Sequence, residues 1–162
     1  MLNNPGLSGL LAAALLLVCG TAPASAETAL IDRFDPAIVT AIAAEKGWAA
    51  ETLPAVSGTI RVRLTGPSGI SFMMQGHDCE TGTCRQALVR ARLTPKTVPD
   101  APNEMPDYWS SNSGPVSAAW TGENYTLHYQ IIFTGGVTRA NLSALLDRID
   151  SNTDSLRWLV AP

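Results

Sequence analysis

The sequence predicts an α+β domain: a five-stranded antiparallel sheet, ordered α-β-β-β-crossover-β-β-α, with helices packed on one face. Three observations predict it. Residues 69–93 fold back on themselves as a hairpin about Cys79 and Cys84. Leu142, Leu145, Leu146 and Ile149 recur at i, i+3, i+4 and i+7, the signature of one helical face. Between them residues 94–107 carry Pro95, Pro99, Pro102 and Pro106, which a central strand cannot hold. That stretch reads as a crossover, with a short helix expected near residues 105–110.

The hairpin is the most constrained part of the chain. With Cys79 opposite Cys84, one face pairs Ile70 with Leu93, Phe72 with Ala91 and Met74 with Val89, all apolar. The other face pairs Ser71 with Arg92, Met73 with Arg90, Gln75 with Leu88 and His77 with Gln86, and is mostly polar. Strand side chains alternate with period two, so a slip of one residue would scramble both sets. Directly opposed residues lie about 4.5–5.5 Å apart at Cα, a span a disulfide accepts. Closing so short a loop stabilises a domain by about 2 kcal/mol in the chain-entropy account.

The remaining elements follow in order. Asp35 caps a first helix and Pro36 takes its first position, where a missing N–H costs nothing. Phe34 can staple onto Val39, and Ile38, Ala41, Ile42 and Glu45 follow at helical spacing until Gly47 ends the helix. Residues 59–64 alternate, with Ile60, Val62 and Leu64 on one side and Arg61 and Arg63 on the other. The turn at residues 65–69 then leads into the hairpin, and pairing Leu64 with Ile70 aligns the apolar faces. Strand four covers residues 116–121, Gly122-Glu123 makes a Gly-X hairpin turn, and strand five covers residues 124–133. Through that turn Trp120 meets Tyr125, Ala118 meets Leu127 and Val116 meets Tyr129. Gly135-Gly136 breaks the strand, Thr138 caps the second long helix, and residues 154–160 read as a separate short helix or turn.

Residues 1–26 are expected to be a cleaved signal peptide. Residues 10–18 form a charge-free apolar run and Ala24-Ser25-Ala26 is an A-x-A cleavage site. The run is too short to span a membrane, which takes about 20 apolar residues. Residues 27–162 then form one domain, and cleavage removes Cys19, leaving Cys79 and Cys84 as an even pair suited to an oxidising compartment such as the periplasm or the exterior. Retention of an acylated Cys19 is the rival reading, and the bulky Val18 before it argues against that. A net charge of −3 with 15% charged residues excludes a generally basic nucleic-acid binder and leaves room for a local basic patch.

Such a patch is the sharpest candidate site. In the expected register the outer sheet face carries Arg63–Ser71–Arg92 in one row and Arg61–Met73–Arg90 in the next. Four guanidiniums around Ser71 and Met73 suit carboxylates or phosphates, so an acidic partner segment or an anionic polymer is the expected ligand. A solvated face, or pairing with Asp100, Glu104 and Asp107 of the crossover, is the plainer account. Cys79 and Cys84 read as a structural disulfide; C-x4-C across a β-turn lacks the helix dipole of a thiol-exchange site. A zinc site from His77, Cys79, Cys84 and His128 is an alternative, because zinc takes four N or S ligands. His77-Asp78 and His128 with Ser71 or Ser117 lack a nucleophile elbow. Trp48, Trp109, Trp120 and Trp158 read as core anchors.

Lys46-Gly47-Trp48, the Gly69-x-x-Phe72 strand running to Cys79 and Cys84, the Trp109…Asn112 segment and Gly135-Gly136-Val137-Thr138-x-x-Asn141-Leu142 together resemble the YbjN domain family. The resemblance spans about residues 34–158 and rests on turns and caps. It implies a fold similar to type III secretion chaperones and a role as a sensory or stress regulator that binds other proteins, with no catalytic residues to carry over. The Trp-Asn step of the family appears here as Trp109-Ser110-Ser111-Asn112, and an exported member would not meet cytosolic clients. The expectation is therefore an exported, non-catalytic binding module with a protein partner, no cofactor, no nucleic acid and no transmembrane segment. A homodimer through the helices is left open. A small periplasmic metal-binding protein or enzyme built on His77, Cys79, Cys84 and His128 is the alternative.

Overall fold

Asp35 and Pro36 do start a helix, α1 (Pro36–Glu45), with Asp35 Oδ1 accepting the Ala37 N–H at 2.8 Å. Its other end closes as a Schellman motif: Gly47 N–H bonds the Ala44 carbonyl and Trp48 N–H bonds that of Ala43. Gly47 supplies the positive φ of 69° this cap requires. The computed structural model describes residues 29–95 and 116–160. The expected signal peptide with Cys19, and the crossover with Trp109, Asn112 and its acidic residues, lie outside the described residues.

After the short β1 (Leu30–Ile31) and α1 come β2 (Ala49–Val56), β3 (Thr59–Thr65), β4 (Ser71–Glu80) and β5 (Thr83–Leu93). Then follow β6 (Ser117–Trp120), β7 (Tyr125–Ile132), β8 (Val137–Thr138) and α2 (Arg139–Val160). The main sheet runs β2-β3-β4-β5-β7-β6 with each neighbouring pair antiparallel, and β1 pairs β8 in a two-stranded sheet. The class is α+β, as the sequence predicts, but the main sheet has six strands rather than five. The additional strand is β2, whose Ala-Ala-Glu-Thr-Leu-Pro-Ala-Val shows no alternation because almost all of it is exposed. Pro54 is tolerated because β2 lies at the sheet edge. Ser57 and Gly58, both at positive φ, form the two-residue turn that joins β2 to β3.

The β4–β5 register matches the expected one at Phe72–Ala91, Met73–Arg90, Met74–Val89, Gln75–Leu88, His77–Gln86 and Cys79–Cys84. Trp120–Tyr125 and Ala118–Leu127 across β6 and β7 match as well. The β3–β4 pairing differs by two residues: Leu64 opposes Phe72, and Val62 opposes Met74. An even shift keeps the faces intact, so the apolar pattern cannot distinguish the two registers. The turn decides it. Asp150 of α2 reaches into residues 66–70 and accepts from Ser68 Oγ at 2.6 Å and Ser68 N–H at 3.2 Å, which holds the loop wide.

One face of the sheet is packed. Val62, Leu64, Phe72, Met74, Val89 and Leu127 join Val39 and Ile42 of α1 and Leu142, Leu146 and Ile149 of α2 in a single buried cluster. The expected break before residue 154 is absent, and α2 is one helix of 22 residues. Leu142, Leu146, Ile149, Thr153 and Leu156 are buried at i, i+4, i+7, i+11 and i+14, one continuous stripe. The polar run that reads as a breaker is absorbed into it: Thr153 Oγ1 donates to the Ile149 carbonyl at 2.6 Å.

Candidate functional site

The opposite face carries the arginines. Pairing through five ladders gives the row Glu51–Arg63–Met73–Arg90–His128–Ser117. Beside it lies Leu53–Arg61–Gln75–Leu88–Gln130, and on the other side Thr65 opposes Ser71 and Arg92 opposes Thr126. The expected square of arginines about Ser71 and Met73 is therefore corrected to a slanted band. Arg61 stands at one end, Arg63 and Arg90 flank Met73, and Arg92 stands at the other. The cause is the two-residue difference in the β3–β4 register. A depression of about 390 Å³ lies over the band, lined by the four arginines with Ser71 and Met73 among others.

The four guanidiniums are not equivalent. Arg63 pairs with Glu51 at 3.0 Å, and Arg61 donates to the Pro54 carbonyl at 2.6 Å, so both heads are engaged by β2. Arg61 Nε is buried without a hydrogen-bond partner among the described residues. Arg90 and Arg92 are exposed and have no carboxylate partner among the described residues. An exposed pair such as Arg63–Glu51 contributes about 0.2–1 kcal/mol, so a competing carboxylate can replace it at little cost. Glu51 is the one carboxylate standing in these rows. Positive charge is thus concentrated on one face of a chain whose net charge is −3.

His128 belongs to this face, next to Arg90. Burial lowers its pKa below the ordinary histidine range, and the positive charge of Arg90 lowers it further. A histidine depressed in the folded state stays neutral there while the unfolded chain takes up a proton, so stability is lost as pH falls below about 6.5. His128→Gln is expected to flatten this acid-side loss. Thermal unfolding between pH 7.5 and 5 checks it: parallel curves for the two proteins would rule out a contribution from His128.

The cysteines are disulfide-bonded, with Cα atoms 3.9 Å apart. They do not share the outer face with His77, contrary to the simple alternation. Asp78 sits at a φ of 55°, in the left-handed region, and the pleat is interrupted there. Cys84 is fully buried and its Sγ lies over Gly76, on the side where Phe72 and Met74 are packed. Thr81 and Gly82, both at positive φ, make the two-residue turn between them.

His77, Cys79, Cys84 and His128 are therefore not brought together as a ligand set. Among the described residues no group of three or more His, Cys, Asp or Glu side chains is placed to hold a metal ion. Nor does either serine meet a histidine ring. Ser71 Oγ is hydrogen-bonded to Thr65 Oγ1 at 2.7 Å, and Ser117 Oγ donates to the backbone carbonyl of His128.

Of the tryptophans, Trp48 is buried edge-on against Phe72 and Trp120 packs on Tyr125. Trp158 is a correction: it is 66% exposed, because it lies off the buried stripe of α2 to which Leu156 belongs. No helix among the described residues is long and apolar enough to cross a membrane.

Sequence reasoning missed the membership of His128 and Thr126 in the arginine face. The alternation of Thr126, His128 and Gln130 in β7 was the available signal, but it does not say which strand lies beside β7. No family model matches the chain, and no curated protein matches it as a relative.

Proposed function

We propose that the chain is an exported, non-catalytic binding module that works by docking another protein on the arginine-bearing face of its sheet. The observation that carries this reading is the contrast between the two faces. One is buried under α1 and α2, whereas the other presents Arg90 and Arg92 unpaired among the described residues beside Arg61 and Arg63. Exposed charge with no carboxylate partner among the described residues adds little to stability, where even a paired surface charge contributes about 0–1 kcal/mol. It suits recognition of a partner of opposite sign, where complementary charge sets specificity and association rate.

Export to the periplasm or the exterior is supported by the A-x-A site ahead of residue 27 and by the Cys79–Cys84 disulfide. Residues 27–162 are read as the mature domain. The resemblance to the YbjN family, with its regulatory binding role, agrees with this reading and is part of the proposal.

The test is charge reversal at the unpaired positions. Arg90→Glu with Arg92→Glu is expected to abolish the adduct that the wild-type protein forms on crosslinking in its native envelope. Circular dichroism should show the fold unchanged. An adduct of undiminished yield from the folded double variant would remove this face as the docking surface.

A further inference from the structure

If this face docks a protein, as proposed, the layout of the band narrows the chemistry of the docked segment. Arg90 and Arg92 are two residues apart on one strand, so their Cα atoms lie about 6.7 Å apart. Arg63 stands across Met73 from Arg90, two strand spacings or about 10 Å away. From Arg61 to Arg92 the band measures about 17 Å along its diagonal. One phosphate or one carboxylate cannot meet charges spread over that length.

An extended peptide can. It rises about 3.3 Å per residue and places alternate side chains on the same side, so its acidic residues at i and i+2 repeat the Arg90–Arg92 spacing. About six consecutive residues, three of them facing the sheet, span the band. Guanidiniums bind carboxylates through paired N–H donors, and those of Arg90 and Arg92 stand exposed with no carboxylate partner among the described residues. Met73 and Leu88 give the same surface an apolar element between the charges.

A single-stranded nucleic acid has a similar charge pitch but needs aromatic platforms for its bases. The two full rows and the Thr65–Ser71 and Arg92–Thr126 pairs contain no Phe, Tyr or Trp. We propose that the ligand of this face is an extended acidic peptide segment of a partner protein. Its alternate carboxylates meet Arg90 and Arg92, and its path crosses Met73 towards Arg63 and Arg61.

The test is fluorescence anisotropy of two labelled eight-residue peptides against the purified protein. One alternates Glu and Ser; the other has the same composition as four Glu followed by four Ser. The alternating peptide is expected to bind at least tenfold more tightly. It should lose at least tenfold in affinity in Arg90→Glu/Arg92→Glu and less than twofold in Arg148→Glu, a charge change on α2 away from the band. Equal binding of the two peptides, an equal loss in Arg148→Glu, displacement by equimolar pyrophosphate, or tighter binding of an oligothymidylate would each overturn the acidic-segment assignment. Absence of peptide binding, with the native adduct still lost in the double variant, overturns this assignment alone. A native adduct that survives the double variant overturns the docking reading with it.

Discussion

Gly76→Ala is expected to destabilise the domain by about 3 kcal/mol, the upper end of what overpacking a core costs. A Cβ at position 76 would come far closer to Cys84 Sγ than van der Waals contact allows and lie 3.0 Å from Cδ1 of the Phe34 ring. Neither neighbour can retreat. Cys84 is tethered to Cys79, and its backbone exchanges two hydrogen bonds with Phe34, at 2.6 and 3.0 Å. Phe34 in turn packs on Phe133 and sits fully buried ahead of the α1 cap. Urea unfolding measures the cost. Repeating it in a Cys79→Ala/Cys84→Ala background supplies the decisive comparison, because removing Sγ opens the space the new methyl needs. The penalty is expected to fall by about 1 kcal/mol or more in that background, a coupling typical of side chains in direct contact. An unchanged penalty would mean that the sulfur does not occupy the space above Gly76.

Asp150→Ala is the second large effect, expected at about 2 kcal/mol. Asp150 as a residue is more than nine-tenths buried, and its carboxyl accepts from both Ser68 Oγ and Ser68 N–H. Ser68 Oγ accepts in turn from Ile70 N–H at 3.1 Å, and the Ser68 carbonyl accepts from Arg157 at 3.0 Å. Two turns of α2 thus hold the loop between β3 and β4. Removing the acceptor leaves part-buried donors unsatisfied, at about 1–3 kcal/mol for such a group. Asp150→Asn keeps an acceptor oxygen and should recover at least half of the loss. Hydrogen exchange at Ser68 and Ile70 reports the same event locally: both amides should exchange faster in Asp150→Ala. Their protection at wild-type levels would show that the loop holds its shape without α2.

This loop also explains where sequence reading succeeded and where it stopped. The β4–β5 register was legible because both strands alternate over many residues and a cysteine pair anchors the turn. The β3–β4 register was not, since an even shift leaves every apolar contact on its proper face. What selects between the registers is Asp150, some eighty residues away in sequence. Strand β2 was hidden for the opposite reason: exposed on nearly every side chain, it had no burial to impress a pattern on its sequence.

The candidate face was legible as four arginines on two strands, and those four do share one face. Their arrangement was not, because it inherits the register difference. His128 entered only through the β5–β7 pairing, a contact made after the crossover and set by tertiary packing. The cysteines turned inward because Asp78 interrupts the pleat. Asp tolerates the left-handed region better than most residues, but alternation alone gives no hint that it is used there. The continuous α2 has a similar lesson: Ser151, Asn152, Thr153 and Asp154 favour turns in isolation, and burial of Thr153 and Leu156 overrides that preference.

A photoreactive residue placed at Ser71, on the exposed arginine face, tests the docking claim most directly when compared with one at Ala140, exposed on α2. After irradiation in the cells that make it, the protein labelled at position 71 should yield a discrete higher-mass adduct and the one labelled at 140 should not. An adduct from position 140 alone, or none from position 71 while the protein is folded and present, would contradict the assignment of the arginine face as the surface through which this domain works.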